Sequence, residues 1–482
     1  METVLTILKF LGTLLEVILL FNLLIIVHEL GHYWAAKWRG LKVEKFQIWF
    51  GPLIWKKTIN GVQWGLGSIP AGGFVALPQM APMESIEGKS PDGVDRAELP
   101  QVSPTDKIIV AFAGPLFSFL LAIVFAVVVW QVGRPVHSSE ASTVIGHVAE
   151  DMPAAQAGVK VGDKVLSIDG QQIKSFFGLT DSVISGVALS EGDTVKLVVQ
   201  RPGVDEPILF DIKPAGAVKS GLFVRGGTRK IGVGTSFLPV VATVLKGSPA
   251  ERAGLKPGDI VKLVNGVPAW AGEQVDAAGR ANPGQDVALV VARPGAQGVA
   301  PTEIEIKVRA IKPLKPEKIP AITGVVWKGE YVLTHPTPLE QIKKAASTIF
   351  TTIRALVSSK SDISVKHLSG PIGIGGAFYD MLSTENGWRL ALWFGVVVNV
   401  NLAMLNLLPL PVLDGGHIVL AILEKIRRKQ ISARFLEYVQ TAFAVVLLSF
   451  MVYVTVLDVG DRSRRSDDAP AEDSSIVFPP AP

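Results

Sequence analysis

Val4-Leu-Thr-Ile-Leu-Lys-Phe-Leu-Gly-Thr-Leu-Leu-Glu-Val-Ile-Leu-Leu-Phe-Asn-Leu-Leu-Ile-Ile-Val-His-Glu-Leu-Gly-His32 opens the chain. Residues 4–27 form an apolar run long enough to cross a bilayer as a helix, and His28-Glu-Leu-Gly-His32 follows it directly. Positions i and i+4 share one helix face, so both imidazoles can bind one metal, with Glu29 beside them to deprotonate a metal-activated water. The bland alternative, interfacial histidines at the end of a span, is disfavoured by place: ionisable residues next to a membrane helix are costly and functional by default. Met1-Glu-Thr-Val lacks a basic region and no small-x-small site follows the run, so it reads as a retained helix, not a cleaved signal.

Three further stretches, 108–132, 390–413 and 439–457, have the length and apolarity of spans. With 48% hydrophobic residues and a mean hydropathy of +0.38, the 482-residue chain reads as a polytopic α-helical membrane protein carrying soluble parts. A net charge of +4 gives no argument for nucleic acid. Without cysteine, disulfides and thiolate metal sites are excluded, so a metal must use His, Asp or Glu. Lys37, Arg39, Lys42, Lys45, Lys56 and Lys57 lie between the first two runs, and Lys425, Arg427, Arg428, Lys429 and Arg434 between the last two. The positive-inside rule puts both loops in the cytoplasm, and both termini and the central region on the other side.

A third ligand comes from elsewhere in the chain. Glu16 lies twelve residues before His28 in the same helix, roughly 18 Å away at about 1.5 Å per residue. Asp414, in Asn406-Leu-Leu-Pro-Leu-Pro-Val-Leu-Asp-Gly-Gly-His417, sits at the cytoplasmic end of the third run, at the depth expected for His28 and His32. Pro409, Pro411, Gly415 and Gly416 interrupt a helix there, and irregular backbone at that depth is tolerated only inside protein or beside a wet cavity. His417 is an alternative ligand.

The central region repeats itself. Pro153-Ala-Ala-Gln-Ala-Gly-Val-Lys-Val-Gly-Asp163 with Ile168-Asp-Gly170 is echoed by Pro249-Ala-Glu-Arg-Ala-Gly-Leu-Lys-Pro-Gly-Asp259 with Val264-Asn-Gly266, and Arg201-Pro-Gly203 by Arg293-Pro-Gly295. Each copy reads as a short helix, a Gly-Asp turn and alternating strands, hence a small, mostly β module. The pattern resembles tandem PDZ domains of the bacterial-protease type, which bind extended peptides at a sheet edge or act as a steric filter. Apolar positions 339, 342, 346, 349, 350 and 353 have helical spacing, giving either an amphipathic surface helix or one packed on its neighbour.

HExxH in the first run, NxxPxPxLDGGH in the third and PDZ-like modules between the second and third runs resemble the bacterial site-2 protease family, in its RseP-type subgroup. The resemblance implies an intramembrane zinc endopeptidase, with one zinc on His28, His32 and Asp414 and Glu29 as general base. It implies that single-pass membrane proteins, anti-sigma factors among them, are cleaved in a bacterial inner membrane. Asn401 and Asn406 are implied to hold substrate. Gly65-Leu-Gly-Ser-Ile-Pro-Ala-Gly-Gly-Phe-Val75 looks like the family's membrane-associated β-loop, which implies substrate contacts at Gly67, Ile69, Gly72 and Gly73. An extended substrate suits this, because a membrane helix must unwind before its peptide bonds can be cut. Ser369-Gly-Pro-Ile-Gly-Ile374 also matches, while Ser118 departs from the Asn common in relatives and puts a polar role there in doubt.

The expected organisation is a first membrane half at 1–132 with a cytoplasmic β-loop at about 46–78. PDZ-like domains follow at 143–222 and 230–312, then an amphipathic helix and connector at 334–386. A second membrane half at 387–458 and a disordered tail at 459–482 complete it. The competing classes are a transporter, which predicts repeated membrane halves absent here, and a non-catalytic membrane-anchored PDZ scaffold, which leaves HExxH and LDGGH unexplained.

Overall fold

The computed structural model describes residues 2–80, 100, 102–215, 225, 227–295, 300–315, 320–329, 331–429, 431, 433–467 and 476–479. It divides into two compact units: residues 1–135, 334–350 and 368–459 form the first, and residues 136–333, 351–367 and 460–482 the second.

Among the described residues, four helices are long and apolar enough to cross a membrane. They are α1 (Glu2–Trp38), α2 (Pro104–Val132), α7 (Gly387–Asn406) and α9 (Ala433–Asp467). Helix α2 packs against α1, α7 and the shorter α8 (Asp414–Arg427). Val4, Leu5, Leu8, Leu15 and Leu19 of α1 are each more than half exposed, as expected of side chains that meet lipid. Between α1 and α2 lies an antiparallel hairpin, β1 (Lys45–Ile59) and β2 (Val62–Ala76). Its turn, Asn60-Gly61, has positive φ at both residues (50° and 76°), the chemistry a two-residue hairpin loop requires. Helix α6 (Pro371–Leu382) buries Phe378 against Val17 of α1 and Ala391 of α7.

The second unit holds two β modules built alike. In the first, a four-stranded antiparallel sheet runs in the order 171–172, 164–168, 195–200, 208–212, and 145–148 pairs with 233–235. In the second, the order is 267–268, 260–264, 287–293, 302–308, and 241–244 pairs with 325–327. One short helix covers each sheet, α3 (Val183–Ala188) and α4 (Glu273–Ala281). Alternation along 195–200 buries Val195, Leu197 and Val199; along 287–293 it buries Val287, Leu289 and Val291.

The repeated Gly-Asp and Arg-Pro-Gly motifs meet in space. Fully buried Asp163 accepts two hydrogen bonds from Arg201, both 2.8 Å, and Arg201 also donates to the Gly158 carbonyl. Asp259 and Arg293 repeat this at 2.7 Å, with the Gly254 carbonyl as the extra acceptor. Removing one partner leaves a charge without compensation. Asp163→Ala is therefore expected to destabilise the first module by about 3–5 kcal/mol, read as a drop in its denaturation midpoint.

Several boundaries differ from the sequence reading. Strand 233–235 pairs with 145–148, so it belongs to the first module and not to a second domain beginning at 230, and 325–327 pairs with 241–244, so the second module extends past 312. The third span ends at Asn406, not at 413, because Pro409 and Pro411 cannot donate backbone hydrogen bonds and the chain turns before α8. The tail is not disordered from 459. Helix α9 continues to Asp467, where Asp461 pairs with Arg464 one turn on and with Arg225, and residues 476–479 pack on the second module. The tail residues 468–475 and 480–482, and the end of the first PDZ-like domain at 216–222, lie outside the described residues. Helix α5 (Pro338–Val357) buries Gln341, Ala345 and Ile349 and exposes Leu339, Phe350 and Val357.

Candidate metal centre

One unbroken helix, α1, carries His28, Glu29 and His32. Both histidines are buried, and their Nε2 atoms lie 3.3 Å apart. Asp414, the first residue of α8, closes the triangle: its Oδ2 is 3.4 Å from His28 Nε2, and its Oδ1 is 3.3 Å from His32 Nε2. Donors about 2.0–2.1 Å from one tetrahedral ion stand roughly 3.3 Å from each other, so the spacing fits zinc, as do the two imidazoles and one carboxylate. Among the described residues, His28, His32 and Asp414 are the group able to hold a metal, and the alternative ligand His417 is not in it. Glu16 is exposed on α1.

The far side of each imidazole is fixed by α2. His32 Nδ1 lies 2.8 Å from the Val110 carbonyl, an acceptor only, so Nδ1 carries the proton and Nε2 keeps its lone pair for a metal. His28 Nδ1 lies 2.9 Å from the Ser118 hydroxyl. Ser118 is fully buried, so its hydroxyl makes a polar contact with the His28 ring inside the helix packing. Ser118→Ala is expected to weaken metal affinity by about 10–100-fold, measured by competition with a chelator. Close approach of the helices needs two glycines. A Cβ on Gly31 would stand 2.4 Å from the Ala113 carbonyl oxygen, and one on Gly114 would stand 2.2 Å from His32 Nε2.

Asp414 is delivered by the broken chain after α7. Cβ atoms on Gly415 and Gly416 would collide with the carbonyl oxygens of Leu407 and Leu410 at 2.2 and 2.1 Å, so only glycine lets the 407–413 turn fold over the start of α8. Gln440 of α9 donates to the Pro411 carbonyl, and Lys107 of α2 pairs with Glu424 of α8 at 2.8 Å. The first turn of a helix favours a carboxylate. When His32 and His28 are protonated, their charge and hydrogen bonds outweigh the burial that opposes ionisation of Asp414 and hold its carboxyl well below the usual carboxylate range.

Glu29 is one residue from the cluster, facing the Val75 backbone N–H of β2. Of the four glycine-loop positions, Gly73 is the one at the centre: a Cβ there would meet Ile25 at 3.0 Å and Glu29 at 3.6 Å. Gly72, at φ 67°, lies against the Phe50 ring, while Gly67 and Ile69 pair with Leu53 and Phe50 further along the hairpin. Asn406 Nδ2 reaches 3.5 Å from His28 Nε2. Asn401 sits more than one turn earlier, with a buried Oδ1 that has no hydrogen-bond partner among the described residues. The Ser369-Gly-Pro motif is a helix start: Asp458 of α9 accepts hydrogen bonds from the Gly370 and Gly373 N–H groups, 3.0 and 2.8 Å. A lone carboxylate directly after the apolar run 439–457 is the sequence signal for Asp458.

A profile of peptidase family M50 matches residues 16–450. The chain is 30% identical over 467 residues to a protein from Yersinia pestis named Protease RseP, covering 92% of this chain and 97% of that one. It is 30% identical over 457 residues, again 92% and 97%, to a Neisseria meningitidis protein named Putative zinc metalloprotease NMA0084. It is 28% identical over 474 residues, with the same coverage, to the Escherichia coli protein named Regulator of sigma-E protease RseP.

Proposed function

Because the chain belongs to peptidase family M50 and is a metalloendopeptidase of the membrane, we propose that it cuts single-pass membrane proteins inside their apolar segments. The observation that carries this is the joining of two membrane halves at one point: His28 and His32 from α1 meet Asp414 from α8, with Glu29 alongside. Membership of a peptidase family sets aside the transporter and the non-catalytic scaffold.

His28, His32 and Asp414 hold zinc, as the names of the relatives and the spacing of the donors both suggest. Zinc held there would supply Lewis-acid polarisation of a scissile carbonyl and would lower the pKa of a water toward about 7. Glu29 takes the proton of that water and carries it to the leaving amine nitrogen. Val110 and Ser118 keep the imidazoles in the orientation the ligands need. Asn406, and Asn401 behind it, hold the substrate backbone. The edge of β2 near Gly72 and Gly73 receives the unwound substrate as an added strand, beside Glu29.

The two β modules are PDZ-like domains that select or sterically filter substrates on the extracytoplasmic side, with both termini on that side and the metal centre toward the cytoplasm. The charges around α1, α2 and α8 support that orientation. Anti-sigma factors are the substrate class that the resemblance to RseP-type proteases implies, and one relative is named Regulator of sigma-E protease RseP.

The test is cleavage of single-pass membrane proteins by the purified chain in liposomes, with the products mapped by mass spectrometry. Cuts within the apolar segment, lost on chelation and restored by zinc, are expected. Cuts confined to water-exposed loops would sink the intramembrane assignment.

A further inference from the structure

The charged stretch 461–473 is followed by Ile476-Val-Phe-Pro479, which is apolar. Three consecutive residues of that segment are held by the second β module in three different ways. Val477 bridges Lys315 in antiparallel fashion: the Leu314 N–H donates to the Val477 carbonyl at 2.7 Å, and the Val477 N–H donates to the Lys315 carbonyl at 3.0 Å. Phe478 is only 8% exposed, with its ring at Gly324. Gly324 has φ +82°, and a Cβ there would stand 3.1 Å from the Phe478 ring and 2.3 Å from Ser248 Cβ, so the socket exists because this residue is glycine. Arg252 donates to the Pro479 carbonyl at 3.0 Å.

The sequence is suited to docking of this kind. A residue before proline is confined to extended backbone, so Phe478 loses little freedom on joining an edge. Pro479 and Pro480 lack N–H groups and end the pairing after one bridge, which keeps the contact short and exchangeable. Backbone pairing with one side-chain pocket is how extended peptides are recognised at sheet edges.

We propose that residues 476–479 are an intramolecular peptide ligand of the second β module. The Leu314–Lys315 edge, the Gly324 socket and Arg252 form a recognition site for an extended peptide with a β-branched residue, phenylalanine and proline in succession. The chain's own tail occupies this site in cis. None of these residues belongs to the metal centre, and the proposal stands apart from the peptidase assignment.

The experiment uses a fluorescein-labelled peptide of residues 470–482 and two detergent-purified proteins, the intact chain and one ending at Asp468. Saturable binding to the shortened chain is expected, at least about tenfold weaker binding to the intact one, whose tethered tail competes, and none by a peptide carrying Phe478→Asp. Amide exchange at Leu314 is expected to speed up on shortening and to slow again when peptide is added, with exchange at Val291 unchanged as the sign that the module stays folded. Equal binding to both proteins overturns occupancy in cis. No binding to the shortened chain overturns the recognition site, whether or not Leu314 exchange changes.

Discussion

Glu29→Gln is expected to stop peptide hydrolysis while leaving the metal in place. Glutamine keeps the size and hydrogen-bonding shape of the side chain but cannot take a proton. A positioned general base contributes about 10²–10⁴-fold, so kcat falls by at least that range, with substrate binding little changed. Metal content is expected to match wild type, since His28, His32 and Asp414 form the cluster without Glu29. Single-turnover cleavage of a labelled membrane substrate, run beside metal analysis of the same sample, makes the comparison. Cleavage at the normal rate would remove Glu29 from the mechanism.

Gly114→Ala is the second large effect, and it acts through geometry alone. The added methyl carbon would stand 2.2 Å from His32 Nε2, 2.5 Å from Cε1 and 2.8 Å from Cδ2 of the same ring. The ring has little room to yield, because Nδ1 is tied to the Val110 carbonyl on the same helix as Gly114. Either His32 turns away or α1 and α2 part, and a displacement of about 1 Å costs on the order of 10²-fold in rate. Unlike Glu29→Gln, this variant is expected to lose both metal and activity. Full metal content in Gly114→Ala would mean that α1 and α2 separate without disturbing the ligands.

The parts of the site that could be read from sequence are those whose geometry is local or set by the membrane. Helical spacing puts His28 and His32 on one face, and matching depth of two apolar runs brings Asp414 to them. The duplicated Gly-Asp and Arg-Pro-Gly motifs announce two like modules, and in the structure they become two bidentate ion pairs. What sequence conceals are contacts between distant positions with ordinary residues. Ser118 meets His28 across 90 positions, and nothing in its neighbours marks it. Gly114 matters only because His32 lies beneath it. Asp458 closes the start of α6 from another helix, and Val477 reaches Lys315 through strand pairing that no local periodicity encodes. The 407–413 turn after α7 folds over Gly415 and Gly416 of α8, which fit under the carbonyls of Leu407 and Leu410, a constraint visible only once the turn is folded.

The measurement that reaches the central claim most directly is the zinc content of detergent-purified wild type, His28→Phe and Asp414→Leu. It needs no knowledge of the substrate. About one zinc per wild-type chain is expected, lost or much weakened in both variants, because one residue comes from α1 and the other from α8 and each supplies a ligand. A wild-type chain that holds no zinc even after reloading, or an Asp414→Leu chain that holds it as tightly as wild type, would contradict the account.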